Sequence, residues 1–152
     1  MRIAIAADEL TGVAPALPEE LTRRGHEPIL HGAYAAGERD DWAWASERAA
    51  RDVTEGHAEQ AIVACWTGTG ASIAANKVPG VRAALCGDAR TAEGARLWND
   101  ANVLALSLRL TSAAALEEIL DAWFAGEASS EPDDAENISH LAQIESTANL
   151  AS

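Results

Sequence analysis

The stretch Ala64-Cys65-Trp66-Thr67-Gly68-Thr69-Gly70-Ala71-Ser72 concentrates the chemistry of this 152-residue chain. An apolar run ends at Cys65, two glycines permit a tight turn, and a helix-prone segment opens near Ala71. Unpaired backbone N–H groups therefore converge beside a thiol. Such amides cradle an anion or a developing oxyanion, and the positive end of the following helix favours a thiolate, which makes Cys65 a candidate base or nucleophile. The alternative for a lone cysteine is packing, and the glycine turn beside it favours chemistry. Cys86 has no such neighbour and is expected in the core. Asp8 closes the first apolar run, where an acid at the end of a parallel strand meets a ligand cleft; its alternative is a helix N-cap.

Positioning these groups requires a sheet. Short apolar segments alternate with longer segments charged on one face, the pattern of a parallel sheet covered by helices. Strands are predicted over Arg2–Ala7, Glu27–His31, Gln60–Trp66, Arg82–Cys86 and Asn102–Ser107, several nearly continuous in apolar character, as buried parallel strands are. Helices are predicted over Ala14–Arg24, Trp42–Glu55, Thr91–Trp98 and Ser112–Phe124. Gly25 and Gly56 stand where C-terminal caps belong, Thr111-Ser112 where an N-cap does. Pro15 and Pro18 predict a late or distorted start to the first helix. Beyond Gly126 an acidic linker leads into a weakly apolar tail with Ile138, Leu141 and Ile144, which is either a docking helix or a solvated end.

Composition removes several function classes. Eleven Lys plus Arg against 24 Asp plus Glu give a net charge of −13, which repels nucleic acid and anionic membranes. The apolar runs are far shorter than the roughly 20 residues that span a bilayer. Residues Met1 to Asp8 lack a secretory core, so the reading is a cytoplasmic protein whose two cysteines are free thiols. His26, His31 and His57 show no partner spacing, and no metal site is expected. The Glu38 to Asp41 charge run reads as a solvated turn. There are five tryptophans against one Tyr and one Phe. Trp123 falls in helical spacing with Leu116, Ile119 and Leu120 and is expected to pack.

Two segments, Gly68-Thr69-Gly70-Ala71-Ser72-Ile73-Ala74-Ala75-Asn76-Lys77-Val78-Pro79-Gly80-Val81-Arg82-Ala83-Ala84-Leu85-Cys86 and Asn99-Asp100-Ala101-Asn102-Val103-Leu104-Ala105-Leu106, resemble the ribose-5-phosphate isomerase B and galactose-6-phosphate isomerase family. Similarity runs from Arg2 to about Phe124. The resemblance implies a three-layer α/β/α sandwich on a Rossmann-like parallel sheet of about five strands. That places an isomerase-like domain at residues 1–125 and leaves 126–152 as linker and tail. It also implies a homodimer, or a tetramer of dimers, with each active site completed by the neighbouring subunit. The reaction it implies moves a proton between C1 and C2 of an open-chain sugar through a cis-enediolate, without metal or organic cofactor. By position, Cys65 matches the base, Thr67 the hydroxyl beside it, and Gly68, Thr69, Gly70, Ala71 and Ser72 the loop that stabilises the enediolate oxygen. Asp8 matches the acid of the first-strand motif, Asn99 a substrate-binding amide, and Arg109 an arginine near the site.

The departures from that pattern share a direction. Glu9 stands where the family has a histidine, Trp98 where it has the ring-opening histidine, and the tail offers Glu136, Ser139 and His140 where it has phosphate-clamping arginines. Trp42, Trp44 and Trp66 likewise fall on motif positions, where aromatic faces stack on sugar faces or cations or else fill core and interface. Phosphate recognition needs donors and positive charge. The expectation is therefore an aldose–ketose isomerase acting on a sugar-like small molecule not held through the usual phosphate clamp, with Glu9, Trp42, Trp66, Trp98, Asn99 and Arg109 around it. The alternatives are an isomerase or epimerase of another α-hydroxycarbonyl compound, and a non-catalytic small-ligand-binding relative.

Overall fold

The structure is a computed structural model describing residues 1–151. Five strands, β1 (Arg2–Ala7), β2 (Glu27–Gly32), β3 (Gln60–Cys65), β4 (Ala83–Leu85) and β5 (Val103–Ser107), form one parallel sheet in the order β2-β1-β3-β5-β4. Among the described residues five helices cover it, α1 (Leu17–Arg23), α2 (Trp42–Thr54), α3 (Thr69–Asn76), α4 (Ala89–Asn99) and α5 (Ala113–Ala125), and a sixth, α6 (Pro132–Leu150), lies against α4. The expected α/β/α sandwich is what forms.

The two faces of the sheet differ in side-chain size. Ile3, Ile5, Ile62, Leu104 and Leu106 point to one side and bury against Leu17, Leu21, Leu116, Ile119, Leu120 and Trp123 of α1 and α5. Each such side chain contributes about 1.5–3 kcal/mol on burial. Trp123 also donates its indole N–H to Gln60 Oε1 at 2.8 Å. On the other side Ala4, Ala6, Ala61, Val63, Cys65 and Ala105 meet Ala45, Ala49 and Ala50 of α2 and Ala71 and Ala75 of α3. Small residues on both partners let α2 and α3 lie close to the strands.

Local chemistry explains the element ends. The prolines break the first helix as expected: a single 3-10 turn at Ala14–Ala16 precedes α1. Ser112 caps α5, its hydroxyl accepting from Ala115 N at 3.1 Å. The edge strand β4 is only three residues long, shorter than predicted, and the Asn76 amide clasps it. Asn76 Nδ2 donates to Ala83 O at 2.9 Å, and Ala83 N donates to Asn76 Oδ1 at 2.8 Å.

The tail is a helix. In α6 no residue is buried, Leu141 and Ile144 are exposed, and Glu145 Oε1 accepts from Gly80 N at 2.9 Å while the helix lies against α4. No helix among the described residues is long and apolar enough to cross a membrane.

Candidate active site

The chain passes from β1 outward to β2, then returns to β3 on the opposite side of β1. That reversal opens a crevice at the carboxyl ends of β1 and β3, where ligands bind in open α/β sheets. Ala7 is paired with Ala64, which sets Asp8 and Cys65 level with each other at its mouth. Asp8, Trp42, Cys65, Trp66, Thr67, Thr69 and Gly70 line this cleft. No lysine or arginine is among them.

Cys65 is held from the β5 side. It is paired with Ser107, and its carbonyl accepts from Leu108 N at 3.0 Å. Ser107 Oγ donates to Trp66 O at 3.1 Å, and Arg109 N donates to the same carbonyl at 3.0 Å. These bonds keep the Trp66 backbone fixed while its indole stands 53% exposed at the rim.

The glycine turn then redirects the chain. Gly68 adopts φ 76°, and a Cβ there would lie 2.8 Å from Leu106 O, so both conformation and space demand glycine. A Cβ on Gly70 would lie 2.9 Å from the Trp42 indole, so the bare glycine lets that ring cover the start of α3. Helix α3 begins at Thr69, two residues earlier than predicted, and carries no side-chain cap. Its first helical bond runs from Ser72 N to Gly68 O at 3.0 Å, while Gly68 N donates to Cys65 O at 3.2 Å. The Gly68 and Ser72 amides are thus taken up within the turn. Those of Thr69, Gly70 and Ala71 remain for a ligand, at the positive end of the helix. The hydroxyls of Thr67 and Thr69 lie 2.7 Å apart.

Asp8 brings the one unsatisfied carboxylate atom of the cleft. Its Oδ1 is buried without a hydrogen-bond partner. Burial pushes the carboxyl above its usual range, helped by Glu9 and Asp40 and opposed by backbone N–H donors of Asp8 and Glu9. Cys86 is the other thiol: it is 1% exposed in the core, where burial, with the nearby Asp88 charge, pushes it up to about 12.

The scan of family models matches residues 3–141 to Ribose/Galactose Isomerase. Ribose-5-phosphate isomerase B of Escherichia coli is 39% identical over 103 residues, 68% of either chain. D-erythrulose-4-phosphate isomerase of Pectobacterium atrosepticum is 32% identical over 128 residues, 84% of either chain. The solved ribose-5-phosphate isomerase B of Clostridium thermocellum superposes with a TM-score of 0.87 at 33% identity, covering 97% of this chain and 99% of that one. The chain belongs to the ribose/galactose isomerase family.

Within this family member, the remaining candidates do not all reach the cleft. Glu9 follows Asp8 and is half-buried, and Arg109 is exposed just beyond β5. Trp98, 49% exposed, folds back over Gly94 on α4. Asn99 lines a separate cavity with Asn76, Arg82 and Glu145. A single chain thus gathers Asp8, Trp42, Cys65, Trp66 and the glycine turn, and leaves Trp98 and Asn99 on another surface.

Two sequence readings are corrected. His31 is not a partnerless strand end: its Nε2 lies 2.6 Å from Asp52 Oδ2 and its Nδ1 3.3 Å from both Glu38 oxygens. Glu38 is not part of a solvated turn, since it also accepts from Gly32 N at 3.0 Å and pairs with Arg48. This cluster ties β2 to the loop that leads into Trp42. Only contact across the fold could reveal it.

Proposed function

We propose that this enzyme, an aldose–ketose isomerase by family, acts on an open-chain hydroxy-aldehyde or hydroxy-ketone that bears no phosphate. Cys65 removes the C2 proton of the aldose. The amides of Thr69, Gly70 and Ala71 receive the negative charge that moves onto the carbonyl oxygen, and the same sulfur returns the proton at C1. Asp8 Oδ1, unpartnered among the described residues, accepts a substrate hydroxyl, and the Trp42 and Trp66 faces pack on the carbon chain.

The observation that carries the substrate class is the charge inventory. Nine of the eleven cationic side chains are already ion-paired with carboxylates. Lys77 and Arg109 alone stand in no ion pair among the described residues, and the sequence contains no lysine or arginine after Arg109. A phosphate dianion would enter a cleft lined by Asp8, with Glu9 and Asp40 acting on it, and one unpaired guanidinium nearby. A second copy of the chain, packed on the exposed Trp66, Ile73 and Leu110, would bring Trp98 and Asn99 to complete the site in a homodimer of the cytoplasm.

Turnover of D-erythrose, D-ribose and D-ribose 5-phosphate tests this directly. The unphosphorylated sugars are expected to be at least about tenfold better by kcat/KM. Conversion of ribose 5-phosphate at about 1–1000 per second, the ordinary range for enzymes, would overturn the phosphate-free reading.

A further inference from the structure

We propose that Thr69 is a positioning residue that orients the Thr67 hydroxyl to carry a proton between the two oxygens of the enediolate. This rests on the isomerase reading above. Aldose–ketose isomerisation moves two protons. One leaves C2 and arrives at C1, and Cys65 accounts for it. The other leaves O2 and arrives at O1, and Cys65 cannot serve both.

The Thr67–Thr69 pair is placed for the second transfer. Both residues line the cleft that holds Cys65, and their Oγ1 atoms are 2.7 Å apart. Neither hydroxyl has another hydrogen-bond partner among the described residues. Their separation is set by backbone: Gly68 between them is locked against Leu106, and Thr69 is the first residue of α3. A hydroxyl has one proton and two lone pairs. When Thr69 donates to Thr67, one lone pair of Thr67 is used. Its proton and other lone pair then face the cleft, matching one acceptor and one donor on adjacent substrate oxygens.

The step balances. As Cys65 takes the C2 proton, the C2–H electron pair forms C1=C2 and the carbonyl pair moves onto O1. Thr67 gives its proton to O1 and takes the proton of O2. Cys65 then returns its proton to C1 while the O2 pair forms C2=O2. No electrons leave the substrate, and Thr67 ends as it began.

The test compares Thr69→Val, which keeps the shape and loses the hydroxyl, with Thr69→Ser, which keeps the hydroxyl. D-erythrose and D-ribose in deuterated water are the probes, with ketose formation and deuterium entry at C2 of the remaining aldose followed together. Thr69→Val is expected to slow ketose formation about 10- to 100-fold. Carbon exchange should continue near the parent rate, KM should stay within about twofold, and Thr69→Ser should restore most of kcat. Ketose formation unchanged in Thr69→Val, exchange falling in step with it, or failure of Thr69→Ser to rescue would overturn the assignment and leave the isomerase reading standing. A parent protein that forms no ketose from D-erythrose, D-ribose or D-ribose 5-phosphate and exchanges no deuterium would overturn both.

Discussion

Asp8 and Cys65 stand level at the ends of neighbouring parallel strands because Ala7 is paired with Ala64. A carboxylate with an unpartnered buried oxygen and a buried thiol thus face one cleft from two segments far apart in sequence. The register of one strand pair makes the site, and no loop has to be ordered to bring the two groups together.

Replacing Cys65 by Ala should cost activity without costing the fold. Removal of a general base lowers kcat about 10²- to 10⁴-fold. The lost sulfur leaves a small gap against Ala71 and the α2–α3 face, worth about 1 kcal/mol. Kinetics with the best aldose and a thermal melt check both halves. A ligand-binding relative without catalysis would instead keep its affinity in this variant.

Asp8 should be a site where function opposes stability. Its carboxyl is raised chiefly by burial, so the folded state holds the proton more tightly than the unfolded chain does. The stability this lends is fully present below the unfolded pKa and is lost as pH rises through the folded one. At neutral pH the ionised group therefore works against folding. Asp8→Asn should melt higher than the parent at neutral pH, lose that advantage in acid, and turn over poorly. A melting temperature that falls at neutral pH would contradict this account.

Glu38 behaves in the opposite sense. Burial alone would raise its carboxyl, but the Gly32 N–H, the His31 ring and Arg48 together hold it below the usual range. Its contribution is present above the unfolded pKa and disappears as pH falls through the lower folded value. Glu38→Gln should lose about 1–3 kcal/mol at neutral pH, measured by urea denaturation, and show a smaller drop in acid than the parent. Because the cluster anchors the segment before Trp42, kcat/KM should fall as well.

The two glycines of the turn should separate stability from function. Gly68→Ala forces a side chain into a left-handed conformation and against Leu106 O, so it should destabilise by at least about 1–2 kcal/mol. At Gly70 the atoms nearest an added Cβ all belong to the Trp42 indole, which can move. Gly70→Ala should keep most of the stability, shift tryptophan fluorescence, and raise KM. Comparable melting temperatures in the two variants would argue against this division.

Much of this was legible in the chain itself. Continuous apolar runs marked the parallel strands, and the prolines at 15 and 18 marked the broken start of α1. The glycine turn marked the cleft, because its backbone requirements are local. The onset of α3 was misplaced because a glycine pair reads as loop even where the second glycine is already helical. Partners of His31 could not be read, since Glu38 and Asp52 lie 7 and 21 residues away and meet it only after β2 and α2 pack. The contact of Trp42 with Gly70 is of the same kind. Small side chains on the α2–α3 face explain it: with alanines on both partners, an indole can reach the turn.

The clasp of Asn76 on Ala83 bears on the open border of the sheet. A three-residue strand at the border of a sheet would otherwise offer unpaired amides and carbonyls to any extended peptide nearby. With both groups of Ala83 taken by one carboxamide, that residue has no backbone group left to offer the strand of another molecule.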